Sequence, residues 1–207
     1  MEIIKYIVFV MLSNLAFAQN KEVVFEIQNS FVQDSLMVDV KITNNTDKDI
    51  WLPIDTSTLA YDFSKINLYQ QQIFPIRQIV YEKNIQESVP TIIEYYGDDK
   101  IDELSETWEN KVRSKTINDF VLLKSKESKR LNVYFYFNHY ITGSFFFSYK
   151  DYENFENGQY DFYLSYQMNP ESIEKYLSKE ILDELKAKGY EPYFGKIESN
   201  RVPLVID

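Results

Sequence analysis

Reactive side chains are scarce in this 207-residue sequence, which has one histidine, His139, and no cysteine. A zinc site built from the usual nitrogen and sulfur ligands is therefore out of reach. A Ser-His-Asp arrangement would have to use His139, yet no Gly-x-Ser-x-Gly elbow presents a serine. Without an orienting partner, His139 reads as a loop or strand-end residue. The five glycines stand singly, so no phosphate-cradling loop can be built. Carboxylates are plentiful, but a glycosidase needs two set across a cleft, a separation that a sequence does not encode. The densest acidic group is Asp98, Asp99, Asp102, Glu103 and Glu106. It offers oxygen ligands for Ca²⁺ but lacks the D-x-D-x-D-G spacing of a dedicated loop. These acids read better as the first turn of a helix, where they offset its positive end. No metal and no cofactor are expected, and the chain reads as a non-enzyme.

The candidates that remain are aromatic. Strand alternation between Tyr134 and Tyr166 points Tyr134, Tyr136 and Tyr163 away from the core. Outward tyrosines on a sheet make a stacking platform for a sugar or the centre of a protein interface. Against this, an amphipathic helix that follows Tyr163 in the chain needs an apolar surface for its stripe. The favoured expectation is that it covers these tyrosines.

The elements that position them are mostly strands. Leu36, Val38, Val40 and Ile42 alternate with Met37, Asp39, Lys41 and Thr43, and Val23, Phe25 and Ile27 alternate with Val24, Glu26 and Gln28. A turn-rich Asn44–Asp49 leads into Ile50–Ile54, so these three segments predict a meander or the first half of a sandwich. Pro53 ends the third strand or places it at an edge. Further strands are expected at Phe120–Lys124, Leu131–Asn138, Tyr160–Gln167 and Arg201–Ile206. Within them Leu131, Val133, Phe135 and Phe137 share one face, as do Tyr160, Phe162, Leu164 and Tyr166. One helix is expected from Pro170 to Lys188, opened by Asn169 and closed by Gly189. A second is expected over about Asp99–Arg113, with Ile101, Leu104, Trp108 and Val112 on one face. Ile66–Tyr69 and Ile76–Tyr81 are candidate strands without an assignable sheet position. The fold class expected is mostly β: an immunoglobulin-like antiparallel β-sandwich with two inserted helices.

The N-terminus has its own pattern. A short basic start at Lys5, an apolar run Tyr6–Leu12 and the small residues Ala16 and Ala18 make the three parts of a secretory signal. Residues 1–18 are thus expected to be a cleavable signal peptide. Residues 19–207 are expected to form a single domain with insertions at about 55–118 and 169–189. The apolar run is well short of the ~20 residues that span a bilayer, and no later stretch is apolar enough. The expected location is exported, periplasmic or extracellular, and soluble. A formal charge of −10 with scattered Lys and Arg disfavours nucleic acid. With no disulfides, core burial must hold the domain together, and aromatic residues at 16% of the chain supply large side chains for it.

Asn157-Gly158-Gln159-Tyr160-Asp161-Phe162 resembles the turn-Gly-x-Tyr-x-core motif of immunoglobulin-like domains. The resemblance implies that Tyr160 is the corner tyrosine and that Phe162 stands where antibody domains carry Cys. Trp51 would correspond to the buried Trp of that family, although Ile50 and Leu52 look like the inward residues of its strand. The missing Cys pair makes the chain more similar to disulfide-free bacterial sandwiches of secreted proteins. Val40–Thr46 through Pro53 is also similar to bacterial secreted immunoglobulin-like domains, including the bacillar proteinase-inhibitor family. Together these readings imply an exported binding module whose partner is a protein or envelope component. Carbohydrate binding, through the tyrosines and acids, and inhibition of an exported protease or toxin are the alternatives.

Overall fold

The computed structural model describes residues 21–33, 36–54, 76–89, 91–95, 106, 110, 112–135, 138–139, 146–150, 159–168 and 170–206. The segment 1–18 expected to be a signal peptide, the strand expected at Ile66–Tyr69, the acids Asp98 to Glu103, and Trp108 and Tyr136 lie outside the described residues. In chain order the strands are β1 (Val23–Ile27), β2 (Val32–Gln33), β3 (Leu36–Asn44), β4 (Ile50–Leu52), β5 (Ile76–Glu82), β6 (Glu87–Ser88), β7 (Thr91–Tyr95) and β8 (Val121–Leu123). They continue as β9 (Ser128–Phe135), β10 (Asn138–His139), β11 (Phe146–Lys150), β12 (Tyr160–Tyr166), β13 (Glu191–Pro192), β14 (Ile197–Glu198) and β15 (Val202–Val205). Two short helices, α1 (Pro170–Tyr176) and α2 (Lys179–Ala187), fall between β12 and β13.

The chain is mostly β, and its core lies between two sheets. The first sheet has the order β1-β3-β9 and is antiparallel throughout. The second has the order β2-β15-β12-β5-β6, with β14 also paired to β12. Three strands of the chain's beginning and middle thus face a sheet whose centre is β12 between β5 and β15. This is the division of an immunoglobulin-like sandwich, with β12 in the position of its strand F. The second sheet departs from a purely antiparallel one at its edge, where β2 runs parallel to β15. Alternation decides which residues meet. Val23, Phe25 and Ile27 of β1, Val38, Val40 and Ile42 of β3, and Val133 and Phe135 of β9 are all buried. Opposite them, Tyr160, Phe162, Leu164 and Tyr166 of β12 and Val202 and Leu204 of β15 are buried too. Phe135 packs on Phe162 with ring centroids 4.8 Å apart, and Phe25 on Tyr166 at 6.0 Å. Each such ring contributes about 1.5–3 kcal/mol by leaving water.

Three expectations change. First, β4 does not continue a meander from β3. It pairs antiparallel with β8 and parallel with β13 in a separate small sheet. The turn that redirects it is built on Asn44, which is fully buried. Its Nδ2 donates to the Lys48 carbonyl at 2.7 Å and the Lys124 carbonyl at 2.9 Å, and its Oδ1 accepts from the Thr46 amide and hydroxyl. Second, Ile50, Trp51 and Leu52 are all buried, so β4 is covered on both faces and Trp51 is as inward as its neighbours. Its ring packs on Phe120 at 5.7 Å. Third, the helix expected over Pro170–Lys188 is two helices. Ser178 adopts an extended backbone and accepts the Ile181 amide proton, which starts α2 anew. Gly189, at φ +81°, ends it in the left-handed conformation that glycine tolerates. Of the other expected helix, Glu106, Asn110, Val112 and Arg113 are helical. The stretch 55–118 also supplies β5, a central strand of the second sheet, which the sequence did not place.

Candidate functional site

The solvent-facing side of the second sheet carries the candidate site. Because the even-numbered residues of β12 point inward, Asp161, Tyr163 and Ser165 point outward and are half-buried. Register sets Tyr81, Ile79 and Arg77 of β5 beside them in that order. On the other flank Pro203 lies beside Asp161, and Glu198 beside Ser165.

Between those two pairings the flanking strand holds one residue too many. Phe162 pairs with Val202 and Ser165 with Glu198, so Ser199, Asn200 and Arg201 run opposite only Tyr163 and Leu164. This is a β-bulge, a device that re-aims side chains. Ser199 stays in the ladder: its amide donates to the Leu164 carbonyl, and its Oγ accepts the Leu164 amide proton at 2.9 Å. The Asn200 carboxamide reaches across to the first sheet, accepting the Ile27 amide proton at 2.7 Å and donating to the Ile27 carbonyl at 3.1 Å. Arg201, next to the inward Val202, points outward and is exposed. Its guanidinium lies 4.0 Å from the Tyr81 ring centroid and 4.9 Å from that of Tyr163. Each contact is worth about 0.5–1 kcal/mol at an exposed site. Among the described residues Arg201 makes no ion pair, so the rings orient its N–H donors without occupying them.

The charges around it are mostly positive. Lys83 pairs with Asp161 at 2.8 Å and Lys196 with Glu198 at 2.6 Å. Lys21 donates to the Glu198 carbonyl at 3.5 Å, and Arg77 is exposed. The hydrogen bond from Lys196 holds the Glu198 carboxyl below the usual range, helped by the nearby charges of Arg201 and Lys21. Lys21, Arg77, Lys83, Lys196 and Arg201 thus outnumber Asp161 and Glu198 on this face of a chain whose formal charge is −10.

Tyr163, expected at a binding surface, is part of this site, and the side chain against its ring is Arg201. Helix α2 packs on the 3-10 turn Ile117–Asp119. Tyr134 belongs to β9 of the first sheet, in register with Met37, so the structure does not bring it together with Tyr163. Tyr160 and Phe162 are buried in β12, on the other side of the sheet from Tyr163. Sequence reasoning missed Tyr81 and Arg201. A signal was present: Ile197 and Val202 are both inward but five positions apart, which a period of two cannot deliver without an extra residue. Among the described residues no group of three or more His, Asp or Glu is placed to hold a metal ion. None of their helices is long and apolar enough to cross a membrane.

No family model matches the chain, and no curated protein matches it. A search of solved structures finds similarity to the Salmonella enterica SafA pilin in complex with the SafB chaperone. That match has 7% identity and a TM-score of 0.27, covers 89% of this chain and spans about half, 53%, of the other.

Proposed function

We propose that this chain is an exported, non-enzymatic interaction module. On this reading, a disulfide-free immunoglobulin-like domain over residues 19–207 follows a cleaved leader of residues 1–18. It binds a protein of the cell envelope or its surroundings through the outer face of the second sheet. The observation that carries the proposal is Arg201, held over the Tyr81 and Tyr163 rings on an exposed sheet surface. Tyrosine and arginine dominate binding hot spots because they present large contact area and many donors at little ordering cost. Export is supported by the basic, apolar and small-residue segments at the N-terminus.

The test is site-specific photo-crosslinking in the producing cell. A photoreactive residue replaces Val205, which is exposed and outward on β15, or Lys41 on β3 of the other sheet. A discrete adduct is expected from position 205 and not from 41, weakened when Arg201→Ala is added. Equal adducts from both positions, or none from 205, would overturn the proposal. So would catalytic turnover by the purified protein.

A further inference from the structure

From the charge and geometry of this face, we infer that its partner is an acidic polypeptide segment, with a partner carboxylate seated on the Arg201 guanidinium. The inference rests on the interaction-module reading and adds the chemistry of the ligand. An arginine held against two tyrosine rings has less freedom to lose on binding, and its planar fork of N–H donors matches the two oxygens of a carboxylate. Nothing among the described residues fills that fork. The bulge makes the orientation a built one. Asn200 is tied to Ile27 and Ser199 to Leu164, so the backbone on the N-terminal side of Arg201 is fixed to both sheets.

Charge complementarity selects the occupant. Lys83 and Lys196 are already bound to Asp161 and Glu198, which leaves Lys21, Arg77 and Arg201 without an ion-pair partner among the described residues. Arg77 sits beside Ser165 and Arg201 beside Tyr163. They therefore stand on the two strands that flank β12, about 9.5–10 Å apart across the sheet and about 6.5–7 Å along it. The half-buried Tyr163 and Ile79 lie between the two cations and give the peptide backbone an apolar floor.

The experiment titrates the full chain with a short oligo-glutamate peptide, followed by calorimetry and tyrosine fluorescence, with oligo-lysine and a heparin fragment as parallel arms. Saturable oligo-glutamate binding is expected, with none to oligo-lysine. Arg201→Ala should weaken it by about tenfold or more, as for loss of a bidentate charged pair. Arg201→Lys should also weaken it, because an ammonium keeps the charge but loses the fork. Tyr163→Leu should weaken it while the Lys41→Ala control leaves it unchanged. Binding that Arg201→Ala does not alter, in a variant whose thermal melt is unchanged, would overturn the inference. Arg201-dependent binding of heparin without oligo-glutamate would overturn it too, and would make the partner a sulfated polysaccharide. A position-205 adduct in the cell without oligo-glutamate binding would defeat the acidic-segment inference while leaving the module reading standing. Loss of both would end both.

Discussion

Asn44 shows how one polar side chain decides where a strand goes. Its amide has partners on both sides, so the carbonyls of Lys48 and Lys124 and the Thr46 amide are held at one point inside the protein. Replacing it with Ala leaves those groups buried without it, and a loss of about 2–3 kcal/mol is expected, measured as a lower denaturant midpoint at unchanged slope. Tyr166 is the second such residue. Its buried phenol donates to the Tyr193 carbonyl at 3.0 Å, and burial pushes its ionisation well above the ordinary value of 10.0. The unfolded chain therefore releases this proton first. The stability linked to Tyr166 is intact below pH 10 and declines as pH rises beyond it. Tyr166→Phe should cost about 1 kcal/mol at neutral pH and shallow the alkaline loss, read from melts between neutrality and pH 11.

At the scale of elements, the informative features are interruptions. Ser178 breaks an otherwise continuous apolar stripe because its hydroxyl supplies an acceptor for the first turn of α2. Ser178→Ala should cost about 1 kcal/mol of stability by thermal melt. The bulge at Ser199–Arg201 is the more consequential interruption. Deleting Asn200 would restore regular pairing, with Arg201 opposite the outward Tyr163 and Ser199 opposite Leu164, but would cut the link to Ile27. The expected result is a destabilised protein, read as a lower melting temperature. The faces of β1, β3, β12 and β15 were legible in the sequence because two-residue alternation is a local property, and Phe25, Val40, Phe162 and Leu204 follow it. The placement of β5 was not, because its partner β12 lies far along the chain and no local pattern names it. Tyr163 was legible as outward for the same local reason. Its partnership with Tyr81 and Arg201 was not, since it depends on register between three strands and on one extra residue.

For the molecule as a whole, acid is the condition that should separate it from a fold held by disulfides. Asp49 accepts from the Lys124 ammonium at 2.7 Å and the Ser125 amide at 2.8 Å, which holds its carboxyl below the ordinary 3.8. Asp47 is held down by Lys126, and Glu198 by Lys196. A lowered folded-state value means that the stability is present above the ordinary carboxylate range and is lost as pH falls through the folded values. Melting temperature should therefore hold from neutrality to about pH 5 and drop below about pH 4. Asp49→Asn should flatten that drop. The pairing of β2 with β15 has a further consequence, and it concerns time. Val32 meets Leu204, and Ile27 meets Asn200, so the sandwich closes on contacts between distant ends of the chain. Contacts of such long separation slow folding. They also cannot form until the last strand has been delivered. A chain emerging from a ribosome or a pore with its N-terminal end first would hold β1 and β3 ready but unsealed, and residues 197–205 would act as the latch whose arrival ends its unfolded life.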